Sequence, residues 1–331
     1  MAELLSTKKH PKRAKLIFNP GSGAAGESPV QLMDVISAMQ AWKLVPEAFL
    51  VEPGCDLSAV VQNALKDGIR MFVVCGGDGT IDVVAGALAG TNATLGIIPT
   101  GTQNNVALSL GIPADIPAAI AILRTGRRIK VDMGLAACGE IKRSFLEVCS
   151  VGLLSALFPA ADDIQHGNLA QVGDFLATLV ASPPAEMHLV LNGKQEINTR
   201  CHVVLVSNMP YIGPHYQVGS PVSFNDGLLD VLLFADLSKL DLLGNLVQVA
   251  TGGLEDPRIQ HYHVRRVDID TNPAMPVMAD GLVLGERLLR ISVRRHALAV
   301  MVGEPAPAAL PAQSVILEEP TGESTQRNEI A

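Results

Sequence analysis

The sequence predicts a parallel α/β domain of the Rossmann-like kind, followed by a largely antiparallel β domain. Apolar runs typical of strands alternate with helical patterns up to about residue 131, and from there strand-like runs separated by turn residues dominate. With 331 residues, of which 48% are hydrophobic, the chain is long enough to bury the cores of two domains.

The first half contains four short apolar runs separated by segments with apolar residues at helical spacing. Strands are predicted over residues 14–19, 47–51, 71–75 and 94–99, and helices over residues 29–43, 57–68 and 80–90. A helix between two strands provides the long crossover that parallel strands need. The alternation therefore predicts a parallel sheet covered by helices.

The second half reads as strands broken by turn residues and two helical inserts. Strands are predicted over residues 145–152, 187–193, 201–208, 228–234, 264–270, 289–295 and 297–303, and the inserts over residues 167–182 and 237–253. Antiparallel strands need only short turns, so this part predicts an antiparallel sheet. Residues 305–331 are rich in Pro and Ala and then polar, which predicts a disordered tail.

The composition argues against several classes of protein. The formal net charge of -8 does not suit a general nucleic-acid binder, although residues 8–15 form a basic leader. Five cysteines without a CxxC pattern favour reduced thiols. No run approaches the ~20 apolar residues of a membrane span, and the charged amino terminus does not resemble a signal peptide. A cytoplasmic location is therefore expected.

A glycine-rich segment, GGDGT, occupies residues 76–80 directly after a predicted strand. Glycines let the backbone turn sharply and approach a ligand closely, and the N-terminus of the following helix favours an anion. We therefore predict that this segment is a phosphate-binding loop. Asp78 is expected to be an exposed loop carboxylate that holds Mg²⁺, and Thr80 to cap the helix or contact a phosphate. A plain tight turn is the alternative.

Two further loops of this kind follow predicted strands. Residues 19–23 read NPGSG after the first strand, and residues 99–105 read PTGTQNN after the fourth. The carboxyl ends of parallel strands lie at one edge of the sheet, so the three loops are expected to form one crevice. Neither a Walker A pattern nor GxGxxG is present, which argues against a P-loop NTPase and a hydride-transfer enzyme.

Seven motifs follow one another in a specific order along the chain. They are NPGSG, GGDGT, PTGTQNN, then VDMG at 131–134, SNMPYIG at 207–213, PVSFNDGLLDV at 221–231 and ADG at 279–281. This ordered set resembles the diacylglycerol kinase catalytic family, especially its bacterial lipid kinases, which are related to sphingosine kinases. The resemblance implies a lipid kinase that uses ATP and Mg²⁺, with ATP between an α/β domain and a β-sandwich domain and a lipid hydroxyl in the same cleft.

The resemblance also implies domain limits and residue roles. The α/β domain would span residues 13–133, completed by the strand over 297–303, and the β-sandwich domain residues 134–296. The catalytic residues would be Asp78, Asp132 and Asp280, with Asp132 in the metal and water network of Asp78. The residues that contact the nucleotide would be Asn19, Ser22, Gly76, Gly77, Asp78, Gly79, Thr80, Gly101, Thr102 and Asn104. A structural Mg²⁺ would be held by Ser223, Asp226 and Leu228. For Asp226, an ordinary turn residue is the alternative.

The chain departs from the family pattern at three acidic positions. Val83 and Asn105 stand where the family commonly has acids, and Leu282 replaces the Glu that serves as catalytic base. Glu286 is about 13 Å further along a strand, too far to substitute for that Glu. The leading prediction is a lipid kinase with activity in doubt. The alternatives are an NAD-kinase-like phosphotransferase and a nucleotide- or lipid-binding pseudokinase that regulates a partner.

Two further features concern partners. A kinase that acts on a lipid has to reach a membrane, so transient peripheral contact is expected, with apolar surface supplied by residues 153–161 and 175–182. Ordinary core helices are the alternative for both segments. His261 and His263 are spaced to share one face of a strand, but without a visible third ligand they are predicted to be surface histidines.

Overall fold

The computed structural model describes residues 10–23, 32–155, 183–212, 216–217, 223–235, 237–239, 241–242, 256 and 258–303. The helical insert over 167–182, most of the insert over 237–253, most of the two apolar segments and the tail over 305–331 lie outside the described residues. Within the described part, fifteen strands form one continuous mixed sheet.

The N-terminal part is a parallel α/β unit with strand order β2-β1-β3-β4. Its strands are β1 (Lys12–Phe18), β2 (Leu44–Leu50), β3 (Met71–Gly76) and β4 (Thr94–Pro99), and its helices are α1 (Leu32–Ala41), α2 (Leu57–Lys66), α3 (Asp78–Leu88), α4 (Asn105–Ser109) and α5 (Ile116–Thr125). Asp56 and Asp115 start α2 and α5 by accepting hydrogen bonds from backbone amides of the first turn.

Strand β3 is buried at every residue because helices cover both faces of the sheet. Successive side chains of a strand point to opposite faces. Phe72 and Val74 pack in the layer that contains α2 and α3, whereas Met71 and Val73 pack in the layer that contains α1 and α5. A continuous apolar run is therefore what this position requires.

The C-terminal part consists of antiparallel strands around a second core. They are β5 (Arg127–Cys138), β6 (Ile141–Phe145), β7 (Val148–Gly152), β8 (Ala185–Leu191), β9 (Gln195–Ser207), β10 (Tyr211–Ile212), β11 (Tyr216–Gln217), β12 (Leu229–Ala235), β13 (Gln260–Val264), β14 (Arg266–Asn272), β15 (Val277–Ala279), β16 (Leu282–Gly285) and β17 (Leu289–Val302). Strands β10 and β11 pair with each other, apart from the large sheet.

Strand β17 joins the two parts of the molecule. Its first residues pair antiparallel with β14, and it pairs with β5 over most of its length. Near its end, Ala299 and Val300 pair in parallel with Thr94 and Leu95 of β4. The last strand of the described chain thus lies beside β4 in the N-terminal sheet.

The predicted fold class is confirmed, with parallel strands first and antiparallel strands after them. Two strands predicted separately are united in β17, which keeps an irregularity between Arg294 and Leu298. Strand β7 begins only at Val148, because the amides of the two preceding residues, Leu146 and Glu147, are engaged by Asp280. Helices α4 and α5 had no counterpart in the prediction. Among the described residues, no helix has the length and apolar character to cross a membrane.

Candidate active site

Three loops lie together at the carboxyl ends of β1, β3 and β4 and are joined by hydrogen bonds. The Nδ2 of Asn19 donates to Oγ1 of Thr80 over 2.9 Å. The hydroxyl groups of Ser22 and Thr100 are 2.7 Å apart. The amide of Thr100 also donates to the carbonyl of Gly76 at 3.2 Å. The parallel sheet thus brings the predicted phosphate-binding loops into one place, as its topology requires.

Two glycines allow the second and third loops to touch through their backbones. A Cβ atom on Gly101 would lie 2.4 Å from the Cα of Gly77, a distance that side chains do not tolerate. Asn104 fixes this contact, because its Oδ1 accepts from the amide of Gly101 at 2.8 Å and its Nδ2 donates to the carbonyl of Gly101 at 2.7 Å. Gly79 and Thr102 are exposed beside this contact.

Asp78 is the first residue of α3, and its carboxylate caps the neighbouring helix α4. Its two oxygens accept hydrogen bonds from the amides of Asn105 at 3.0 Å and Val106 at 3.1 Å. The expectation of an exposed loop carboxylate is therefore wrong, since Asp78 is half-buried and tied to backbone amides. Burial raises the pKa of Asp78, while the two amides act in the opposite direction.

Asp280 occupies the tight turn between β15 and β16, with both Asp280 and Gly281 at positive φ. This backbone directs its carboxylate onto the chain before β7. The carboxylate accepts hydrogen bonds from the amides of Leu146 at 2.6 Å, Val148 at 2.9 Å and Glu147 at 3.1 Å. Leu282, the first residue of β16, is 45% exposed and offers no proton acceptor.

The third carboxyl of the site is that of Asp82, on the buried side of α3. Arg143 of β6 forms an ion pair with it. Burial raises the pKa of Asp82, and a hydrogen bond from Asp280 and the charge of Arg143 counteract this. Burial and the neighbouring Asp82 raise the pKa of Asp280 well above its usual range. Burial thus opposes ionisation of both carboxyls, and the hydrogen bond between them ties the protonation of one to that of the other.

Glu147 is the fourth carboxyl of the site. It precedes β7, is buried, and accepts a hydrogen bond from the side chain of Asn105. Burial, followed by the charges of Asp78 and Asp280, raises its pKa well above the usual range. The four carboxyls, Asp78, Asp82, Glu147 and Asp280, are thus close enough to influence one another's protonation.

The sequence reasoning missed Asp82, Arg143 and Glu147. A signal for two of them was present, because Asp82 and Glu147 are single charges inside apolar runs, TIDVVAGAL and FLEVCSVG. Charges in such runs are buried with partners or at functional sites. Their positions also bear on the departures from the family pattern, since Asp82 precedes Val83 and Glu147 contacts Asn105.

Asp132 belongs to β5 and is fully buried. Its oxygens accept hydrogen bonds from the amide of Gly227 at 2.6 Å and from the amide of His296 at 2.5 Å. It therefore ties the turn before β12 to the irregular part of β17. These are its observed partners, and its membership in the metal network of Asp78 stays a prediction.

The turn over residues 223–228 contains the predicted structural Mg²⁺ ligands. The Oδ1 of Asp226 accepts from the amide of Leu228 at 2.9 Å, and the hydroxyl of Ser223 donates to Asn225 at 3.0 Å. The three predicted ligands are thus adjacent in one turn, whose carbonyl at Phe224 accepts from the amide of Asp132 at 2.7 Å. Binding of Mg²⁺ here stays a prediction.

The residues of the site fit a nucleotide polyphosphate with a divalent cation. The loops offer backbone without side chains at the contact of Gly77 and Gly101, which suits phosphate groups. The Nε of Arg143 is buried without a hydrogen-bond partner among the described residues, so its N–H is free to donate to an anionic ligand. The pKa values of Glu147 and Asp280 are raised, and a divalent cation bound between the carboxyls would stabilise their ionised forms.

Comparisons with known proteins show which family the chain resembles. Two family models match the chain, the diacylglycerol kinase catalytic domain over residues 13–136 and the YegS C-terminal NAD kinase beta sandwich-like domain over residues 150–302. A diacylglycerol kinase of Bacillus subtilis is 27% identical over 310 residues, which cover 89% of this chain and 98% of that protein. A diacylglycerol kinase of Mycobacterium tuberculosis is 29% identical over 231 residues, or 68% of this chain and 74% of that protein.

Another relative and a solved structure complete the comparison. An uncharacterized protein of Synechocystis sp. is 27% identical over 227 residues, which cover 66% of this chain and 52% of that protein, so the match spans about half the length of this relative. The crystal structure of a diacylglycerol kinase from Bacillus anthracis shares the fold, with a TM-score of 0.68 at 20% identity over 89% of this chain and 98% of that chain. The chain belongs to the diacylglycerol kinase catalytic family.

Proposed function

We propose that this protein transfers the terminal phosphoryl group of ATP to the hydroxyl group of a lipid alcohol, such as diacylglycerol or a sphingoid base, with Mg²⁺. The observation that carries the proposal is the group of four carboxyls, close enough to influence one another's protonation, beside three hydrogen-bonded glycine-rich loops. The relatives named diacylglycerol kinase support a lipid alcohol as acceptor.

The loops hold the phosphate groups of ATP in this proposal. Backbone amides around Gly77 and Gly101 face the phosphates, and the hydroxyl and amide groups of Asn19, Ser22 and Thr80 are already oriented by their mutual hydrogen bonds. Preorganised donors of this kind lower the barrier of phosphoryl transfer, which depends mostly on positioning and charge stabilisation. The half-buried guanidinium of Arg143 adds positive charge near the same carboxyls.

The carboxyls provide the ligands for Mg²⁺. When bound, the cation neutralises the charge of the phosphates as the transfer proceeds. Asp78, Asp82 and Asp280 are proposed to hold it, directly or through water, because the three carboxyls lie close together and none is exposed. The amides that bind Asp78 and Asp280 fix the direction of both carboxyl groups.

Glu147 takes the proton of the lipid hydroxyl in place of the Glu that the family has at position 282. Its amide contacts Asp280 and its side chain contacts Asn105, so the carboxyl stands between the turn of β15 and β16 and the third glycine-rich loop. The hydroxyl oxygen attacks the terminal phosphorus, ADP leaves, and the proton passes to the Glu147 carboxylate. A carboxylate with a higher pKa is a better proton acceptor, and burial and the neighbouring charges raise the pKa of Glu147.

The β15–β16 hairpin provides an apolar edge next to the site. Leu282 is 45% exposed and Val283 is 60% exposed, and only Gly281 separates them from the catalytic candidate Asp280. Exposed large apolar side chains in a row suit contact with an acyl chain. We assign them to the lipid, so that the hydrophilic end of the substrate faces the carboxyls.

The test is a transfer assay with radiolabelled ATP and a mixed lipid extract, followed by thin-layer separation of the products. The wild-type chain should label one lipid class in the presence of Mg²⁺, and Glu147→Gln should label it far more slowly. Glu186→Gln serves as a matched control on β8, because that side chain is exposed and remote from the loops. ATP binding without any labelled lipid would instead identify a pseudokinase.

A further inference from the structure

The geometry points to a transition-metal site on the C-terminal sheet, separate from the Mg²⁺ ligands discussed above. We propose that Asp230, His261 and His263 bind one divalent ion with Zn²⁺-like preferences. Asp230 belongs to β12, and the two histidines belong to β13 beside it. Their potential ligand atoms all lie within 4.8 Å of one another.

The pairing of β12 and β13 creates this cluster. Asp230 stands directly opposite His263, and His261 is two residues away on the same face of β13. The two imidazole rings stack with centroids 4.7 Å apart and an interplanar angle of 24°. The Nε2 atoms of His261 and His263 lie 2.9 Å and 3.1 Å from the same oxygen, Oδ1 of Asp230.

These separations are near those of ligands in a tetrahedral complex. With metal–ligand bonds of ~2.0–2.1 Å, the ligand atoms of a tetrahedral Zn²⁺ site are about 3.3 Å apart. Small rotations of the two rings are therefore enough to admit an ion in place of the shared protons. Imidazole nitrogens and one carboxylate select Zn²⁺-like ions over Mg²⁺ and Ca²⁺, which prefer oxygen ligands.

Burial gives the cluster a fixed base and an open side. The side chain of Asp230 is 4% exposed, that of His261 25% and that of His263 51%. The buried carboxylate is held in place by the sheet, while the ion can enter past His263. Three protein ligands leave a fourth position for water. Without an ion, the ring of His261 is hydrogen-bonded to Asp230 and the ring of His263 lies 3.1 Å from the same oxygen, and this is the competing state.

The test is metal binding to the full, untagged chain after treatment with a chelator. Zn²⁺ is titrated in competition with a chromogenic chelator, and Co²⁺ is added separately because its visible spectrum reports the ligand geometry. We expect one tight equivalent in the wild-type chain and a loss of at least ~10²-fold in affinity for His261→Gln and for His263→Gln, since changes outside the ligand set alone cost 10–100-fold.

His188→Gln is the matched control. His188 lies on β8, and its Nδ1 is 2.8 Å from the side chain of Asn198, with no carboxylate in that pair. This variant should keep the tight equivalent and the Co²⁺ spectrum. His263→Gln is the decisive variant, because the exposed position of its side chain makes misfolding a minor concern, and a thermal melt verifies the fold. Equal affinity in wild type and His263→Gln, or no tight equivalent in the wild type, overturns the proposal.

Discussion

The side chain of Asn105 donates a hydrogen bond to the buried carboxyl of Glu147. The two residues come from distant parts of the chain, Asn105 from the start of α4 and Glu147 from the segment before β7. At position 105 the family pattern has an acid, and here the acid next to that position is Glu147. A carboxyl from another part of the chain thus lies beside position 105.

Glu147→Gln should reduce turnover by ~10²–10⁴-fold with little change in ATP affinity, because a positioned general base contributes about that much. Single-turnover rates on the labelled lipid class and calorimetric titration with Mg²⁺ and ATP measure the two quantities separately. The Glu186→Gln control should match the wild type in both. A variant as fast as the wild type would remove Glu147 from the mechanism.

Glu147→Gln should also stabilise the nucleotide-free protein at neutral pH. The folded-state pKa of Glu147 is raised above its ordinary 4.5, so its contribution to the free energy of unfolding is full below pH 4.5 and is lost as the pH rises through the folded pKa. A Gln side chain does not ionise, so the variant does not lose this part of the free energy of unfolding as the pH rises. The Tm difference between variant and wild type should be small at pH 4 and grow with pH, by ~2–4 °C for each kcal/mol.

Thermal melts from pH 4 to pH 9 provide the check, with Glu186→Gln as a control that should show no such trend. Addition of Mg²⁺ at high pH should narrow the difference, since a cation stabilises the ionised carboxyls of the wild type. A Tm difference that does not depend on pH would contradict the raised pKa.

Asp78→Asn should weaken Mg²⁺-nucleotide binding and also destabilise the fold. Asparagine has one acceptor oxygen, so one of the two α4 amides that Asp78 binds loses its partner. We expect a cost of ~1–3 kcal/mol in the free energy of unfolding, measured by urea denaturation. Asp56→Asn at the start of α2 is the control, because Asp and Asn cap helices about equally well. Unchanged ATP affinity in Asp78→Asn would contradict its place in the site.

Gly101→Ala should separate the second and third loops. The new Cβ would lie 2.4 Å from the Cα of Gly77, so the backbone has to move and ATP binding should be lost together with some stability. Gly86→Ala is the control, because Gly86 is an exposed position within α3 with no atom within 4 Å of the added Cβ. That variant should gain ~0.5–1 kcal/mol from helix propensity. Normal ATP affinity in Gly101→Ala would refute the role of the contact.

Leu282→Glu tests whether position 282 can serve the reaction. If Glu147 accepts the proton, this change should alter wild-type turnover by less than about tenfold but should raise that of Glu147→Gln by up to ~10²-fold. The comparison requires single-turnover rates for both single variants and the double variant. A large increase in the otherwise wild-type protein would mean that Glu147 is not the acceptor. No increase in either background would favour a pseudokinase.

The sequence predicted the parts of the molecule that depend on local patterns. Strand β4 and the core of β3 were predicted within one residue, because buried apolar runs bounded by glycines have few alternatives. Convergence of the three loops followed from the parallel sheet. Glu147 and Arg143 were missed, because their roles arise from contacts with α3 and α4, which are distant in sequence.

Other differences have equally local causes. Asp78 was expected to be exposed, but helix α4, which the apolar spacing did not reveal, covers it and supplies two amides. The third member of the histidine group was likewise hidden, because Asp230 reaches His261 and His263 only through the pairing of β12 with β13. Strand register cannot be read from one strand alone.

Strand β17 has a consequence for synthesis of the protein on the ribosome. Translation proceeds from the amino terminus, so β4 emerges long before Ala299 and Val300, its neighbours in the finished sheet. Until then, an apolar strand edge of the nascent α/β unit has no partner, and such edges invite association with other chains. A fragment ending near residue 133 should therefore aggregate more readily than the full chain.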